Sequence, residues 1–268
     1  MRTKFLHLGD DAVHYLHTGA TTLPDVPPAL DRGALFLLVH GGGRNAGDFR
    51  RTLAGLDERH SAVALDLPGH GRSSGLDALS SIEAYADVVE QFAGALGLRR
   101  HVLVGWSMGA LVSLVVATRV PERLAGLVLM AGSPGWSVDP MVLDRLHAVV
   151  RGVRPLQFDK LLFSPATPLD VMREAWMEQV RTDPRVLYGD MLAGRAFDFP
   201  AYLAKVRVPT LVVHGADDQI TPVARAEELA RSIPGARLEV VPDAGHIPQL
   251  EQPERVNSLL ASFAEGLA

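Results

Sequence analysis

The five residues Gly105-Trp106-Ser107-Met108-Gly109 stand between an apolar strand-like run, His101-Val102-Leu103-Val104, and an apolar helix-like run, Ala110-Leu111-Val112-Ser113-Leu114-Val115-Val116-Ala117. A G-x-S-x-G at such a corner reads as a nucleophile elbow, a turn tight enough to strain the serine backbone and lift its Oγ above the carboxyl end of the sheet. Side chains at both flanking positions would collide with neighbouring backbone, which accounts for glycine at 105 and 109.

Around this corner, apolar β-branched runs alternate with longer amphipathic segments, the pattern of parallel strands joined by helices. Leu35 to Val39, Ala62 to Leu65, Val102 to Val104, Leu127 to Met130, Thr210 to Val213 and Leu238 to Val241 read as buried strands. Their near-continuous hydrophobicity suits a sheet covered on both faces. Lys4 to Leu8 and Ala12 to His17, around Gly9-Asp10-Asp11, read as an antiparallel hairpin at one sheet edge. Helices are predicted from Ser81 to Leu96, Met108 to Arg119, Pro222 to Ser232 and Pro253 to Glu265, with Pro222 and Pro253 in first turns.

From about Pro134 to Pro200 the alternation stops, and Met, Leu, Phe and Trp are punctuated by Pro155, Pro165, Pro168 and Pro184. This stretch reads as a helical cap inserted after the sixth strand, giving a core of residues 1–133 and 201–268 and a cap of 134–200. Most of its apolar residues are expected to close a small core of the cap's own. Some, Trp136 among them, are expected to line an apolar ligand cavity.

A chain of 268 residues with 47% hydrophobic and 21% charged residues is long enough for one large α/β domain. A net charge of −5 supplies no basic face, so no nucleic-acid partner is expected. No apolar stretch approaches the roughly 20 residues that span a bilayer, and the first ten residues lack a signal-peptide core, so no membrane association and a cytoplasmic location are expected. With no cysteine, disulfides, thiol catalysis and cysteine metal sites are excluded, and no H-E-x-x-H or comparable cluster points to a metal or other cofactor.

A serine hydroxyl attacks at neutral pH only with a base to take its proton and a carboxylate to orient that base. His246 lies in Pro242-Asp243-Ala244-Gly245-His246-Ile247-Pro248, just beyond the last strand, and Asp217 and Asp218 follow the strand ending Val213-His214-Gly215. Ligands of open α/β sheets sit at the carboxyl ends of strands, so these loops and the elbow converge. Met108 N–H, opening the helix after Ser107, is one expected oxyanion donor, and the loop Gly41-Gly42-Gly43 is the expected source of the other. His40, His70 and His214 read as hydrogen-bonded structural residues, and Asp66 with Gly69 and Gly71 as a structural turn. Gly43, Arg44, Asn45, Trp106 and Trp136 border the expected pocket. Packing is the simpler reading for Trp106 and solvation for Arg44, with substrate contact the alternative for each.

His40-Gly41-Gly42-Gly43, Asp66-Leu67-Pro68-Gly69-His70-Gly71-Arg72-Ser73, the elbow, Gly215-Ala216-Asp217-Asp218 and Gly245-His246 together resemble the α/β-hydrolase-fold superfamily, in its capped serine esterase and C–C-hydrolase-like group, over essentially the whole chain. The resemblance implies a mostly parallel eight-stranded sheet flanked by helices and the chain order Ser, Asp, His. It favours Asp218 over Asp217 as triad acid, giving Ser107, Asp218 and His246, and Gly42 over Gly43 as second oxyanion donor. It implies hydrolysis of an ester, lactone or thioester of a small to medium apolar substrate through an acyl-enzyme. C–C hydrolases, perhydrolases and acyltransferases share this triad, although Ile247 stands where C–C hydrolases often carry tryptophan. Dehalogenases and epoxide hydrolases of this fold use aspartate as nucleophile, so Ser107 argues against both. A small-molecule receptor on the same fold is the non-enzymatic alternative.

Overall fold

The computed structural model describes every residue except Met1, Thr22, Pro24, Asp25, Ser137 and Ala268; of these, Ser137 falls in the stretch read as a cap and the others in the stretches read as core. Gly9 turns the chain with a φ of +63°, a conformation open to glycine without a Cβ clash. The strands it joins, β1 (Arg2–Leu8) and β2 (Asp11–His17), pair antiparallel as the expected edge hairpin. Six more strands follow: β3 (Leu35–Val39), β4 (Ser61–Leu65), β5 (His101–Trp106), β6 (Leu124–Met130), β7 (Thr210–Gly215) and β8 (Arg237–Val241). The eight form one sheet in the order β1-β2-β4-β3-β5-β6-β7-β8. From β4 through β8 every pair is parallel, and β2 joins β4 antiparallel.

The period of two along each central strand divides the core into two layers. Leu37, Val39, Val63, Leu65, Leu103, Leu127, Leu129 and Val212 pack on one face. Their neighbours Phe36, Leu38, Ala62, Ala64, Val102, Val104, Val128, Met130, Leu211 and Val213 pack on the other. This is why the strands read as unbroken apolar runs. Strand β8 departs from that reading: it lies at the sheet edge and Val240 is 37% exposed. An apolar run alone does not distinguish a central strand from an edge.

Helix α1 (Arg50–Leu56) follows β3, α2 (Ile82–Ala95) follows β4 and α3 (Met108–Arg119) follows β5. Ser81 caps α2, its hydroxyl accepting from Ala84 N–H at 3.1 Å. After β6 come α4 (Pro140–Val150), α5 (Leu169–Gln179), α6 (Pro184–Arg195) and the single turn α7 (Pro200–Leu203). The closing helices are α8 (Val223–Ser232), α9 (Pro248–Glu251) and α10 (Pro253–Glu265). Pro222 is the cap of α8 rather than its first residue. None of the described helices is long and apolar enough to cross a membrane.

The helices between β6 and β7 extend the main cores instead of closing a separate one. Phe163, Val171 and Ala175 join the layer containing Trp106, whereas Ala193, Phe197 and Phe199 join the layer containing Leu103. The physical reason is contact: α5, α6 and the chain after α6 meet the loops at the carboxyl ends of the strands, so these apolar residues are covered by the sheet's own layers, whereas α4 packs on α6.

The elbow glycines are demanded by backbone proximity. A Cβ on Gly105 would overlap the Gly109 carbonyl and the Ser113 hydroxyl, and one on Gly109 would overlap the carbonyls of Val39 and His40. A Cβ on Gly94, inside α2, would meet only the tip of the Arg123 side chain, at 3.7 Å. Gly109→Ala is therefore expected to lower the unfolding free energy by about 1–3 kcal/mol or more, the scale of overpacking. Gly94→Ala should be neutral or stabilise by up to about 1 kcal/mol. Urea unfolding of the two variants checks the contrast, and equal effects would remove the packing explanation.

Candidate active site

Ser107 occupies the corner between β5 and α3 at φ 54° and ψ −116°, a region L-residues enter at a cost of about 1–3 kcal/mol. Backbone hydrogen bonds hold it there: its N–H donates to the Met130 carbonyl at 2.9 Å, and its carbonyl accepts from Ala110 N–H at 2.9 Å. As cap of α3, Ser107 is followed by Met108, whose N–H belongs to the first turn and has no partner within the helix.

His246 is positioned through its backbone. Its N–H donates to the Leu162 carbonyl at 2.8 Å, and its carbonyl accepts from the Trp106 indole Nε1–H at 2.7 Å. The neighbouring Gly245 and Ile247 N–H groups both donate to Glu251 Oε1, at 2.9 and 3.1 Å. The other Glu251 oxygen accepts from Ser164 N–H at 2.8 Å and from the Thr167 hydroxyl. One buried carboxylate thus ties the histidine loop to the connection between α4 and α5 of the inserted segment.

The ring so held faces two partners. Nδ1 lies 2.8 Å from Asp218 Oδ2 and Nε2 lies 3.0 Å from Ser107 Oγ. A proton on Nδ1 directed at the carboxylate leaves the Nε2 lone pair facing the serine hydroxyl. Asp218 is 5% exposed, and its Oδ1 accepts from the Ile220 and Thr221 N–H groups at 2.9 and 2.8 Å. Asp217 is engaged elsewhere, accepting from the Ser164 hydroxyl at 2.6 Å. The three residues read as a triad therefore lie together, and the adjacent carboxylate does not share the histidine.

The glycine loop lies against the elbow: a Cβ on Gly41 would be 3.1 Å from Ser107 Cβ. The Gly41 carbonyl accepts from His40 Nδ1–H at 2.8 Å and Arg44 N–H at 3.2 Å. His40 Nε2 accepts from Leu67 N–H at 3.0 Å, which sets its tautomer. In a trans peptide the amide hydrogen points away from the preceding carbonyl, so Gly42 N–H faces away from His40. Gly43 N–H donates to Asp190 Oδ2 at 2.8 Å and is thereby committed. That contact removes Gly43 as an alternative to Gly42, and as a substrate contact through its amide.

The remaining pocket expectations change. Arg44 is 4% exposed rather than solvated: its Nε and Nη2 form a bidentate pair with Asp48 at 2.8 and 2.6 Å, and its guanidinium lies over the Trp106 ring. A guanidinium so occupied is a structural tie, not a substrate contact. Trp106, 2% exposed, packs edge-on against Phe49 and supports His246 through its indole. Trp136 lies on α6, where a Cβ on Gly194 would meet its ring at 2.8 Å, and packs against the core layer. Asn45 caps a 3₁₀ turn and donates to the Glu178 carbonyl at 2.7 Å. What borders the glycine loop instead is Leu187 beside Gly43, and Asp190 with Met191 beside Gly42. Asp190 and Leu187 are not legible as site residues in the sequence because what they meet lies far away along the chain, and Glu251 is not because only the fold brings Ser164 and Thr167 to the carboxylate that also holds Gly245 and Ile247.

His40, His70 and His214 are buried and hydrogen-bonded, as expected. Burial, reinforced by His70, pushes the pKa of His40 down to about 3. Burial also lowers that of His214, whose Nε2 donates to the Thr221 carbonyl at 2.6 Å. His70 goes the other way. Burial opposes its charge, but the Asp190 carboxylate and the Pro68 carbonyl outweigh it and raise the pKa. Among the described residues no group of three or more His, Cys, Asp or Glu side chains could hold a metal ion.

The model of the alpha/beta hydrolase family matches residues 36–259. The chain belongs to this family. Members named as esterases and hydrolases surround it, and the family is one of enzymes. The chain is 27% identical to the pimeloyl-[acyl-carrier protein] methyl ester esterase of Nitrosomonas europaea, over 83% of the chain and 92% of that protein. It is 32% identical, over 86% of its length, to the dihydrolipoyllysine-residue acetyltransferase component of the acetoin cleaving system of Cupriavidus necator, and spans 63% of that longer protein. Among solved structures, a thermophilic esterase from Thermogutta terrifontis superposes with a TM-score of 0.81 at 26% identity, covering 96% of this chain and 94% of the other.

The buried histidines of this hydrolase set its acid stability. His17 and His101, each with a pKa lowered to about 4 chiefly by burial, join His40 as groups that bind a proton more readily unfolded, where the value is 6.5. Their contribution is complete above pH 6.5 and is lost as pH falls toward 4. His70 opposes this, since its stabilisation is complete below 6.5 and fades as pH rises through its raised pKa. Between pH 6.5 and 4 the His70 contribution is already complete, so the lowered groups, His60 and His214 included, all act in one direction, and each histidine lowered to about 4 is expected to remove on the order of 3 kcal/mol of unfolding free energy across that window. Urea titrations across that window measure it, and a flat or rising curve would contradict the assignment.

Proposed function

We propose that this chain is a serine hydrolase that cleaves a carboxylic ester, lactone or thioester of a small to medium, largely apolar molecule through an acyl-enzyme. The observation that carries the reading is the relay of 3.0 Å from Ser107 Oγ to His246 Nε2 and 2.8 Å from His246 Nδ1 to Asp218 Oδ2, built at a strained elbow. The esterase names of the Nitrosomonas and Thermogutta proteins support the same class.

In this reading Ser107 Oγ attacks the acyl carbon while its proton passes to His246 Nε2, and Asp218 stabilises the resulting imidazolium. The carbonyl oxygen becomes an oxyanion that accepts from Met108 N–H, at the positive end of α3, and from Gly42 N–H. Collapse of the tetrahedral adduct breaks the bond to the leaving oxygen or sulfur, which takes the proton from His246. Water then attacks the acyl-enzyme, gives a proton to His246, and releases the acid as that proton returns to Ser107. No cofactor enters the scheme. Leu187 and Met191, placed against the glycine loop, support an apolar substrate.

Ser107→Ala is expected to reduce kcat for p-nitrophenyl ester hydrolysis on the order of 10⁴-fold with the fold intact. Asp218→Asn should cost about 10³- to 10⁴-fold, because only this carboxylate fixes the histidine tautomer. Asp217→Asn, whose carboxylate accepts from the Ser164 hydroxyl, should stay within about tenfold of wild type. Steady-state kinetics on the three purified variants decide the matter. A tenth of wild-type activity retained by Ser107→Ala, or the reverse ranking of the two aspartates, would overturn the assignment.

A further inference from the structure

The proposed oxyanion donor, Gly42, sits between two glycines in a loop whose residues have no Cβ to restrain them, and it is held from both sides. On one side the Gly41 carbonyl is fixed by His40 and Arg44 N–H. On the other, the Gly43 N–H is fixed by a residue 147 positions away, Asp190 of α6, at 2.8 Å. Asp190 is fully buried. Its Oδ2 also lies 2.8 Å from His70 Nε2, and its Oδ1 accepts from the Tyr85 hydroxyl at 2.6 Å. His70 Nδ1 faces the Pro68 carbonyl at 2.9 Å, so both ring nitrogens point at acceptors and the ring is a donor on both sides.

Helix α6 cannot shift freely to deliver this carboxylate. Its Val186 lies 3.3 Å from where a Cβ on Gly69 would stand, and its Gly189 admits Ala78 where any side chain would overlap. The helix is thereby seated on the loop following β4, with Asp190 directed at the glycine loop. Asp190 Cβ itself stands 3.3 Å from the Cβ position of Gly42.

Resting on the serine-hydrolase reading, we propose that Asp190 is a positioning residue for the oxyanion hole: through its bond to Gly43 N–H, helix α6 of the inserted segment fixes the peptide that orients Gly42 N–H. It touches no reacting atom. Its removal therefore acts on the transition state, where the oxyanion exists, and leaves ground-state binding nearly unchanged.

Asparagine at 190 makes the test sharp. Without the counter-charge His70 is neutral, keeps its Nδ1 proton on the Pro68 carbonyl and presents a bare Nε2. The asparagine NH₂ then turns to that nitrogen and its oxygen to the Tyr85 hydroxyl. Both stay satisfied, while Gly43 N–H faces a donor and is released.

The measurements are kcat and KM with p-nitrophenyl butyrate, per active site titrated with a serine-directed fluorophosphonate, and inhibition by an alkyl trifluoromethyl ketone, whose adduct carries an oxyanion. Asp190→Asn is expected to lower kcat about 10- to 100-fold, change KM less than about threefold, and weaken the ketone by a factor similar to the loss in kcat. Tyr85→Phe, which withdraws a donor from the oxygen that does not meet Gly43, should lower the melting temperature yet keep kcat within about twofold. Should Asp190→Asn not fold, Asp190→Ser, too short to reach Gly43, takes its place with the same expectations. Wild-type kcat in the position-190 variant, a rise confined to KM, or an equal kcat loss in Tyr85→Phe would overturn the inference alone. A wild-type protein inert towards all esters, or as active without Ser107, would overturn the hydrolase reading beneath it.

Discussion

The site depends on how closely three backbones meet beneath Ser107. Gly105 and Gly109 carry no Cβ, and for that reason β5, the start of α3 and the end of β3 approach to distances that exclude any side chain. The serine is left at a positive φ that its surroundings over-determine, with Met108 N–H opening the helix beside it. Widening that corner would move the Ser107 hydroxyl and the Met108 N–H together. The two layers of buried aliphatic residues on either face of the sheet hold it closed.

Around this corner, the segment between β6 and β7 supports both loops that complete the site. The connection between α4 and α5 holds the His246 loop: Leu162 accepts from His246 N–H, while Ser164 and Thr167 share Glu251 with Gly245 and Ile247. Helix α6 meets the glycine loop through Asp190. An insertion of this kind is more than a cover over the substrate. Because its apolar residues merge with both core layers, its position is fixed by the stability of the whole domain rather than by a core of its own.

What could be read from the chain beforehand was whatever short-range chemistry dictates. The elbow, the alternating strands, the Ser81 cap and the loop positions of Asp218 and His246 follow from local spacing and from the rule that strand ends gather at one edge. Charge pairing, at short or long range, is not legible in the same way. Arg44 looked like a solvated charge because nothing local marks Asp48, one helical turn on, as its buried partner. Trp106 was legible as packing, but its hydrogen bond to a carbonyl 140 residues away was not. Glu251 and Asp190 are ordinary acidic residues in helical segments until the fold surrounds each with several donors. Strand β8 differs from its apolar pattern for another reason: hydrophobicity reports that a segment pairs, not whether a neighbour covers its far side.

The central claim is that Ser107 is a nucleophile made reactive by His246. Its most direct test is the site and rate of covalent labelling by a fluorophosphonate, followed by mass spectrometry of wild type and His246→Ala. One adduct per chain, on Ser107, and a labelling rate that falls at least about 10³-fold without the histidine are expected. Modification of another serine, or labelling of Ser107 at an undiminished rate in His246→Ala, would contradict it.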